Sequence, residues 1–429
     1  MALQQTAQDI CEDAILVATA ASSSEVHEIE IELEELSRLL RTAGGTPVAK
    51  MIQIKDSPDP ATYIGSGKLS ELRDLCQSKE AGLVVFNSEL SPSQIRNIED
   101  ALGGNISVCD RTMLILDIFA LHAVTGEGKL QVELAQLKYT APRLIGKGAA
   151  LSRQEGRIGT RGPGESKLET DRRYLKRRAA ALEAQLRELA ENRQTMRAAR
   201  ERSGIPKAAI VGYTNAGKST LLNALTNAGV LSEDKLFATL DPTTRRLSLP
   251  DGREILLTDT VGFIRRLPHQ LIRAFHSTLE EAIHADLLLL VCDISDPECA
   301  EHLEVTRNLL TDLGAGDIPQ LVVYNKCDLS SSFDEARTLS NDERVFISAA
   351  AGMGIEDLLN AISAILKANK KEVVLCIPYS SAGLLNTLRG ECPILGDAEY
   401  QDDGIIVKTV LDDKNYHKFM DFIVGQEQQ

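Results

Sequence analysis

What this 429-residue chain lacks narrows it first. Its eight cysteines form no C-x-x-C pair, and the closest two, Cys292 and Cys299, do not have the spacing of a zinc or redox motif. Free thiols in a reducing compartment are the expectation. No apolar run approaches a membrane span, the longest lying around Leu287 to Cys292. The first residues, with Gln4, Gln5, Asp9 and Glu12, do not read as a secretory leader, and the seven histidines show no metal or triad spacing. A cytoplasmic monomer with no membrane span is expected.

Positive charge is also scarce, with a formal net charge of −15, which taken alone argues against a nucleic-acid partner. The average hides a segregation. Arg143 to Arg202 carries 16 Lys/Arg against 8 Asp/Glu, a local +8 that leaves −23 for the rest. A basic stripe can bind phosphates on an acidic protein because screening confines each charge to its neighbourhood.

With 43% hydrophobic residues the chain is globular, and it is too long for one core. Over residues 1–140, short apolar runs (Ala14 to Ala18, Val48 to Ile54, Leu83 to Phe86) alternate with helical patterns (Ile31 to Leu40, Leu69 to Cys76, Pro92 to Leu102). This predicts an N-terminal α/β domain. Residues 141–203 are expected to hold a basic, flexible glycine-rich loop (Gly146 to Gly164) and a long helix. From Lys167 to Arg202 there is no Gly or Pro, and Leu175, Leu182, Leu186 and Leu189 recur at helical spacing. Paired with the helical stretch Thr112 to Leu144, this helix makes a hairpin. Residues 204–370 read as a P-loop domain with a mostly parallel sheet and flanking helices, and 371–429 as a small C-terminal α/β appendage without a chemical motif.

The chemistry lies in 204–370. The apolar run Ala208 to Val211 leads into Gly212-Tyr213-Thr214-Asn215-Ala216-Gly217-Lys218-Ser219, a full G-x-x-x-x-G-K-[ST], and then into a helix. Glycines let backbone N–H groups turn around a polyphosphate, Lys218 brings positive charge to the β/γ position, and the Ser219 hydroxyl suits Mg²⁺. Asp259-Thr260-Val261-Gly262 follows a second apolar run, offering a carboxylate for Mg²⁺ and a Gly262 N–H for the γ-phosphate. Asn325-Lys326-Cys327-Asp328 follows a third, and its aspartate can accept both N–H donors of guanine, which adenine cannot offer. Ser348-Ala349-Ala350 ends a fourth strand, where backbone can meet the guanine carbonyl. Together they point to GTP and GDP as ligands and to GTP hydrolysis. Phe263, where many GTPases carry a water-orienting glutamine, has no polar atom, so slow intrinsic hydrolysis and a packing role for Phe263 are expected.

Further motifs carry a closer likeness: Thr62-Tyr63-Ile64-Gly65-Ser66-Gly67-Lys68, Asp117-Ile118-Phe119-Ala120, Glu127 to Leu137 (EGKLQVELAQL), Gly159 to Glu165 (GTRGPGE) and Phe237-Ala238-Thr239-Leu240-Asp241. Over about residues 14–370 the chain resembles the HflX family of translation-factor-related GTPases. That resemblance implies binding to the large ribosomal subunit, including its rRNA, with a role in ribosome splitting, recycling or rescue. It makes Thr239 the switch threonine that joins Ser219 and Asp259 on Mg²⁺, within a segment Phe237 to Asp241 that meets the nucleotide. Thr243 and Thr244 compete on sequence alone. Lys218, Thr239 and Gly262 are the expected catalytic positions. The family's G-P-G-E-T reads Gly162-Pro163-Gly164-Glu165-Ser166 here and keeps a hydroxyl. For RNA contact the expected residues are Arg153, Arg157 and Arg161 of the glycine loop with Arg172 and Arg173 of the helix. Gly65-Ser66-Gly67-Lys68 lacks the upstream glycine of a P-loop and reads as a turn before a helix. Two other classes stay open: a signalling GTPase acting on a protein effector, and an ATP-dependent RNA remodelling enzyme working through the N-terminal domain.

Overall fold

The computed structural model describes residues 13–153, 163–201, 205–226, 236–237, 242–266, 282–329, 343–368, 370–381, 383–392, 394–396, 398–401 and 404–426. Two compact units emerge. The first, built on Met1–Leu189, holds a parallel sheet of order β2-β1-β3-β4, from β1 (Asp13–Ala20), β2 (Thr46–Ile54), β3 (Leu83–Phe86) and β4 (Ser107–Asp110). Alternation along β1 sends Ile15 and Val17 to one face, where they pack with Val84, Phe86, Leu72 and Ile98 under α2 (Ser66–Lys79) and α3 (Pro92–Leu102). Helix α1 (Val26–Thr42) lies against β1 and β2, burying Leu33, Leu36 and Leu40. Ser91 opens α3 with a reciprocal capping box to Gln94.

Asp110 ends β4 and caps α4 (Arg111–His122), its carboxylate accepting from the Met113 N–H at 2.9 Å. Fully buried, it also accepts from the Leu90 N–H at 3.0 Å, the Tyr139 hydroxyl at 2.5 Å and Arg143 at 2.8 Å. One carboxylate thus ties β4, the start of α3 and helix α5 (Gly126–Arg153) together. A buried charge is stable in this way only when every lone pair is used.

Helix α6 (Pro163–Glu201) pairs with α5, and the leucines of the sequence pattern make the seam: Leu175 and Leu182 with Leu134 and Leu137, flanked by Leu186. Glu183 takes Lys138 of α5 at 2.7 Å as its partner, and Arg178 reaches Glu133 at 2.7 Å. Two expectations need correction. The stretch 112–144 is not one helix, because Thr125 caps a new one by accepting from the Gly128 N–H. The glycine-rich loop does not begin at Gly146, because α5 continues through Gly146 and Gly148 to Arg153. A helix anchored by its packed first turns can carry glycines costing about 1 kcal/mol each. Residues 154–162 lie outside the described residues.

The second unit contains a six-stranded sheet of order β10-β9-β8-β5-β7-β6. Its strands are β5 (Lys207–Gly212), β6 (Thr243–Ser248), β7 (Glu254–Asp259), β8 (Leu287–Asp293), β9 (Gln320–Asn325) and β10 (Arg344–Phe346), all parallel except β6. β8 is buried on both faces, so Leu287, Leu289 and Val291 serve one core and Leu288, Leu290 and Cys292 the other. A run hydrophobic at every position is what such a strand requires. Residues 370–426 form an antiparallel sheet with two short helices, Gly383–Glu391 and Asp413–Phe419. Its strands Glu399–Gln401 and Ile423–Gln426 have too little pattern to be read from sequence.

Candidate nucleotide site

The four motifs converge at the C-terminal ends of the parallel strands, where open α/β sheets bind ligands. β5 delivers Gly212 at φ 151°, and a Cβ there would stand 2.2 Å from the Val291 carbonyl oxygen, so only glycine fits. The loop then turns through Asn215 (φ 61°) and Gly217 (φ 91°) into α7 (Lys218–Thr226). A Cβ on Gly217 would lie 2.2 Å from Asn325 Nδ2.

Asn325 is a brace. Its Nδ2 donates to the Ala216 carbonyl at 2.8 Å and its Oδ1 accepts from the Ala349 N–H at 2.9 Å, joining the phosphate loop to the Ser348-Ala349-Ala350 loop. Lys326, at φ 64°, makes a 2.7 Å ion pair with Asp293 at the end of β8. The Cys327 N–H donates to the Ile347 carbonyl, which leaves the Asp328 side chain exposed. The buried Ser348 Oγ accepts from the Ala351 N–H and shapes the last loop, with Ala349 buried and Ala350 exposed.

Lys218 is only 6% exposed and donates from Nζ to the Tyr213 carbonyl at 2.8 Å. Burial pulls its pKa down to about 8, against a smaller opposing pull from Asp259. Ser219 Oγ donates to Asp259 Oδ2 at 2.7 Å, so the two expected Mg²⁺ ligands sit side by side. Among the described residues the buried Thr214 hydroxyl finds no hydrogen-bond partner. A Cβ on Gly262 would lie 2.9 Å from Lys218 Nζ and 2.8 Å from Thr214 Cγ2, so Gly262 closes tightly over the same space. A desolvated ammonium, an orphaned hydroxyl and paired hard oxygen donors suit a polyphosphate with a divalent cation.

Other expected residues are placed differently. The Thr260 hydroxyl donates to the Ile210 carbonyl, inside the sheet, and Val261 is buried. Phe263 is 1% exposed, packed with Val211, Leu288 and Leu290, while its backbone pairs with Gly212 and Thr214. Thr244 is engaged with Thr258 at 2.9 Å in the β6–β7 ladder. Phe237 is buried and meets Phe119 edge to face within the first unit. Ala238, Thr239, Leu240 and Asp241 lie outside the described residues, as do Arg157 and Arg161, and nothing of the Arg153 side chain is described. Arg172 and Arg173 are exposed on α6. Sequence reasoning missed Asp293, His302 and Arg265. The His302 ring stacks on Tyr213 with centroids 3.8 Å apart, and the Tyr213 hydroxyl accepts from the Arg265 N–H. Only the acidic end of the apolar β8 run hinted at Asp293.

Three family models match the chain in tandem: GTP-binding GTPase N-terminal over residues 30–120, GTP-binding GTPase middle region over 122–200 and 50S ribosome-binding GTPase over 207–326. Among curated relatives, the chain is 48% identical over 404 residues to the GTPase HflX of Lacrimispora saccharolytica, covering 94% of both. It is 48% identical over 414 residues to that of Caldanaerobacter subterraneus, covering 96% of this chain and 94% of the relative. With the Escherichia coli GTPase HflX it shares 43% identity over 351 residues, 81% and 82% of the two chains. The chain belongs to the HflX family of GTPases. As an HflX-family protein it binds GTP and GDP and hydrolyses GTP, through a P-loop domain that follows an α/β domain and a helical hairpin in the sequence. No helix among the described residues is long and apolar enough to cross a membrane.

Proposed function

We propose that this HflX-family GTPase binds the large ribosomal subunit, rRNA included, according to its nucleotide state, and acts in ribosome splitting, recycling or rescue. The match of residues 207–326 to a model described as a 50S ribosome-binding GTPase carries this reading. The exposed Arg172 and Arg173 support it, since phosphate contact needs accessible cations. The protein works as a cytoplasmic monomer.

At the nucleotide, Lys218 and the 212–219 backbone hold the phosphates, Asp328 reads guanine, and Asn325 keeps the phosphate and 348–350 loops in register. Ser219, Asp259 and Thr239 would hold Mg²⁺, which would supply neutralisation of the negative charge on the phosphates. Buried Phe263 offers no base, so water is oriented by backbone around Gly262. The large subunit shifts the protein towards the hydrolysis-competent state. Turnover measured with and without purified large subunits tests this. Stimulation by large subunits alone supports it, and equal turnover with and without them refutes it. Turnover of ATP that survives Lys218→Ala would instead favour RNA remodelling through the N-terminal domain.

A further inference from the structure

Tyr213, the second residue of the phosphate loop, is buried and ties together three parts of the site. Its backbone bridges Phe263 in parallel, flanked by the Phe263 N–H donating to the Gly212 carbonyl at 3.0 Å and the Thr214 N–H donating to the Phe263 carbonyl at 2.8 Å. Its own carbonyl accepts from Lys218 Nζ at 2.8 Å. At the far end of the ring, its hydroxyl accepts from the Arg265 N–H at 2.7 Å.

Both ends of that last hydrogen bond are fixed by helix α8 (Cys299–Asp312) and the loop before it. The His302 ring lies flat on the Tyr213 ring, with centroids 3.8 Å and planes 13° apart, and so sets the angle of the phenol. The buried Arg265 guanidinium pairs with Glu298 at 3.0 Å and with Glu301 at 2.6 Å. Glu298 also stands 3.7 Å from His302 Nε2, so one carboxylate serves both supports. Phe263 and Ile264, each 1% exposed, fill the short span between Gly262 and Arg265. With the Phe263 backbone laddered on one side and the Arg265 N–H tethered on the other, Gly262 has little freedom. It needs little, since a Cβ there would already stand 2.9 Å from Lys218 Nζ. A misplacement of about 1 Å in such a position can cost about 100-fold in rate.

We propose that Tyr213, Arg265 and His302 are positioning residues for GTP hydrolysis: the Tyr213 hydroxyl, its ring set by His302, tethers the 262–265 backbone where that backbone meets the γ-phosphate and the attacking water. The Arg265 and His302 side chains act through Tyr213 and the tethered backbone rather than on the nucleotide. The inference rests on the reading that Gly262 meets the γ-phosphate. Loss of the tether should slow the chemical step while the rest of the phosphate loop still binds the nucleotide.

Full-length protein without ribosomal subunits is assayed for kcat and KM with GTP, for GDP affinity by titration and for melting temperature. Tyr213→Phe keeps the stacked ring and removes one oxygen. The expected result is a kcat lower by roughly tenfold, as loss of one buried hydrogen bond gives, with KM and GDP affinity within about twofold of the parent. His302→Ala should lower kcat in the same way, and His302→Phe, which restores a stacking ring, should recover most of it. These two variants lie outside the phosphate loop and give the same answer should Tyr213→Phe fold poorly. A Tyr213→Phe protein with unchanged kcat, whether it melts lower or binds GDP more weakly, would overturn the proposal, because the hydroxyl would then serve only the fold or the grip on the nucleotide. A His302→Phe protein as slow as His302→Ala would overturn the role of the stack. Gly262→Ala in the same assay separates two failures: lost turnover there beside an unchanged Tyr213→Phe overturns the tether alone, whereas parent-like turnover would sink the Gly262 reading and the tether with it.

Discussion

Replacing Lys218 with methionine should make the nucleotide-free protein more stable while nearly abolishing nucleotide binding. Lys218 is 6% exposed and its pKa is pulled to about 8 from 10.5 by burial. Two to three pKa units correspond to a destabilisation of roughly 3–4 kcal/mol for the charged form. The sign follows from proton counting. Below about pH 8 the lysine is charged in both folded and unfolded chains and the full cost is present; as pH rises from about 8 towards 10.5 the folded state sheds its proton first and the cost is relieved. Methionine keeps much of the length without the charge, so at pH 7 the free variant should melt higher, by about 2–4 °C for each kcal/mol recovered. Nucleotide should lose the charge-assisted contacts of the ammonium, about 3 kcal/mol or roughly 100-fold in affinity. Calorimetric melting of nucleotide-free protein, paired with titration by GDP, reads both. A variant that melts lower than the parent when free, or that binds GDP within about threefold of it, would refute the claim that Lys218 is held at a cost for a phosphate.

Asp328→Asn should exchange guanine for xanthine preference in a competition assay, because a carboxamide reverses half of the donor and acceptor pattern; retained GTP preference would mean that another residue reads the base. Asn325→Ala leaves the Ala216 carbonyl and the Ala349 N–H unpartnered, which should cost about 2–5 kcal/mol in urea unfolding, and a loss under about 0.5 kcal/mol would show that the brace is slack. Phe263→Ala should lose about 3–5 kcal/mol of stability, whereas Phe263→Leu should keep basal hydrolysis; loss of all turnover in the leucine variant would show that the ring has a catalytic part. Replacing Arg153, Arg157 and Arg161 with alanine should flatten the salt dependence of large-subunit binding by about 2–3 units of log–log slope, and an unchanged slope removes them from the contact.

The candidate nucleotide site was legible because each motif sits at a strand end, where backbone geometry restricts residue type. Gly212 and Gly217 are glycines since a Cβ would collide with Val291 and Asn325, and such constraints survive as fixed spacing. The partners of those motifs were not legible. Asp293 lies 33 positions before Lys326, and only the β8–β9 pairing brings them together. The same holds for His302 under Tyr213 and for Glu133 and Lys138, the partners of Arg178 and Glu183 across the hairpin. Composition overstated the glycine-rich loop, because a helix already anchored by Leu134 and Leu137 propagates through residues that could not start one. Short strands such as Ser107–Asp110 and Glu399–Gln401 hold too few alternations to show a period, and they are defined by their pairing with a neighbouring strand.

The central claim is that nucleotide state governs attachment to the large subunit, and sedimentation through a sucrose cushion with purified subunits tests it most directly. The protein should pellet with large subunits when loaded with a non-hydrolysable GTP analogue and stay in the supernatant with GDP, while small subunits retain it in neither state. Equal retention in both nucleotide states, or no retention in either, would contradict the account.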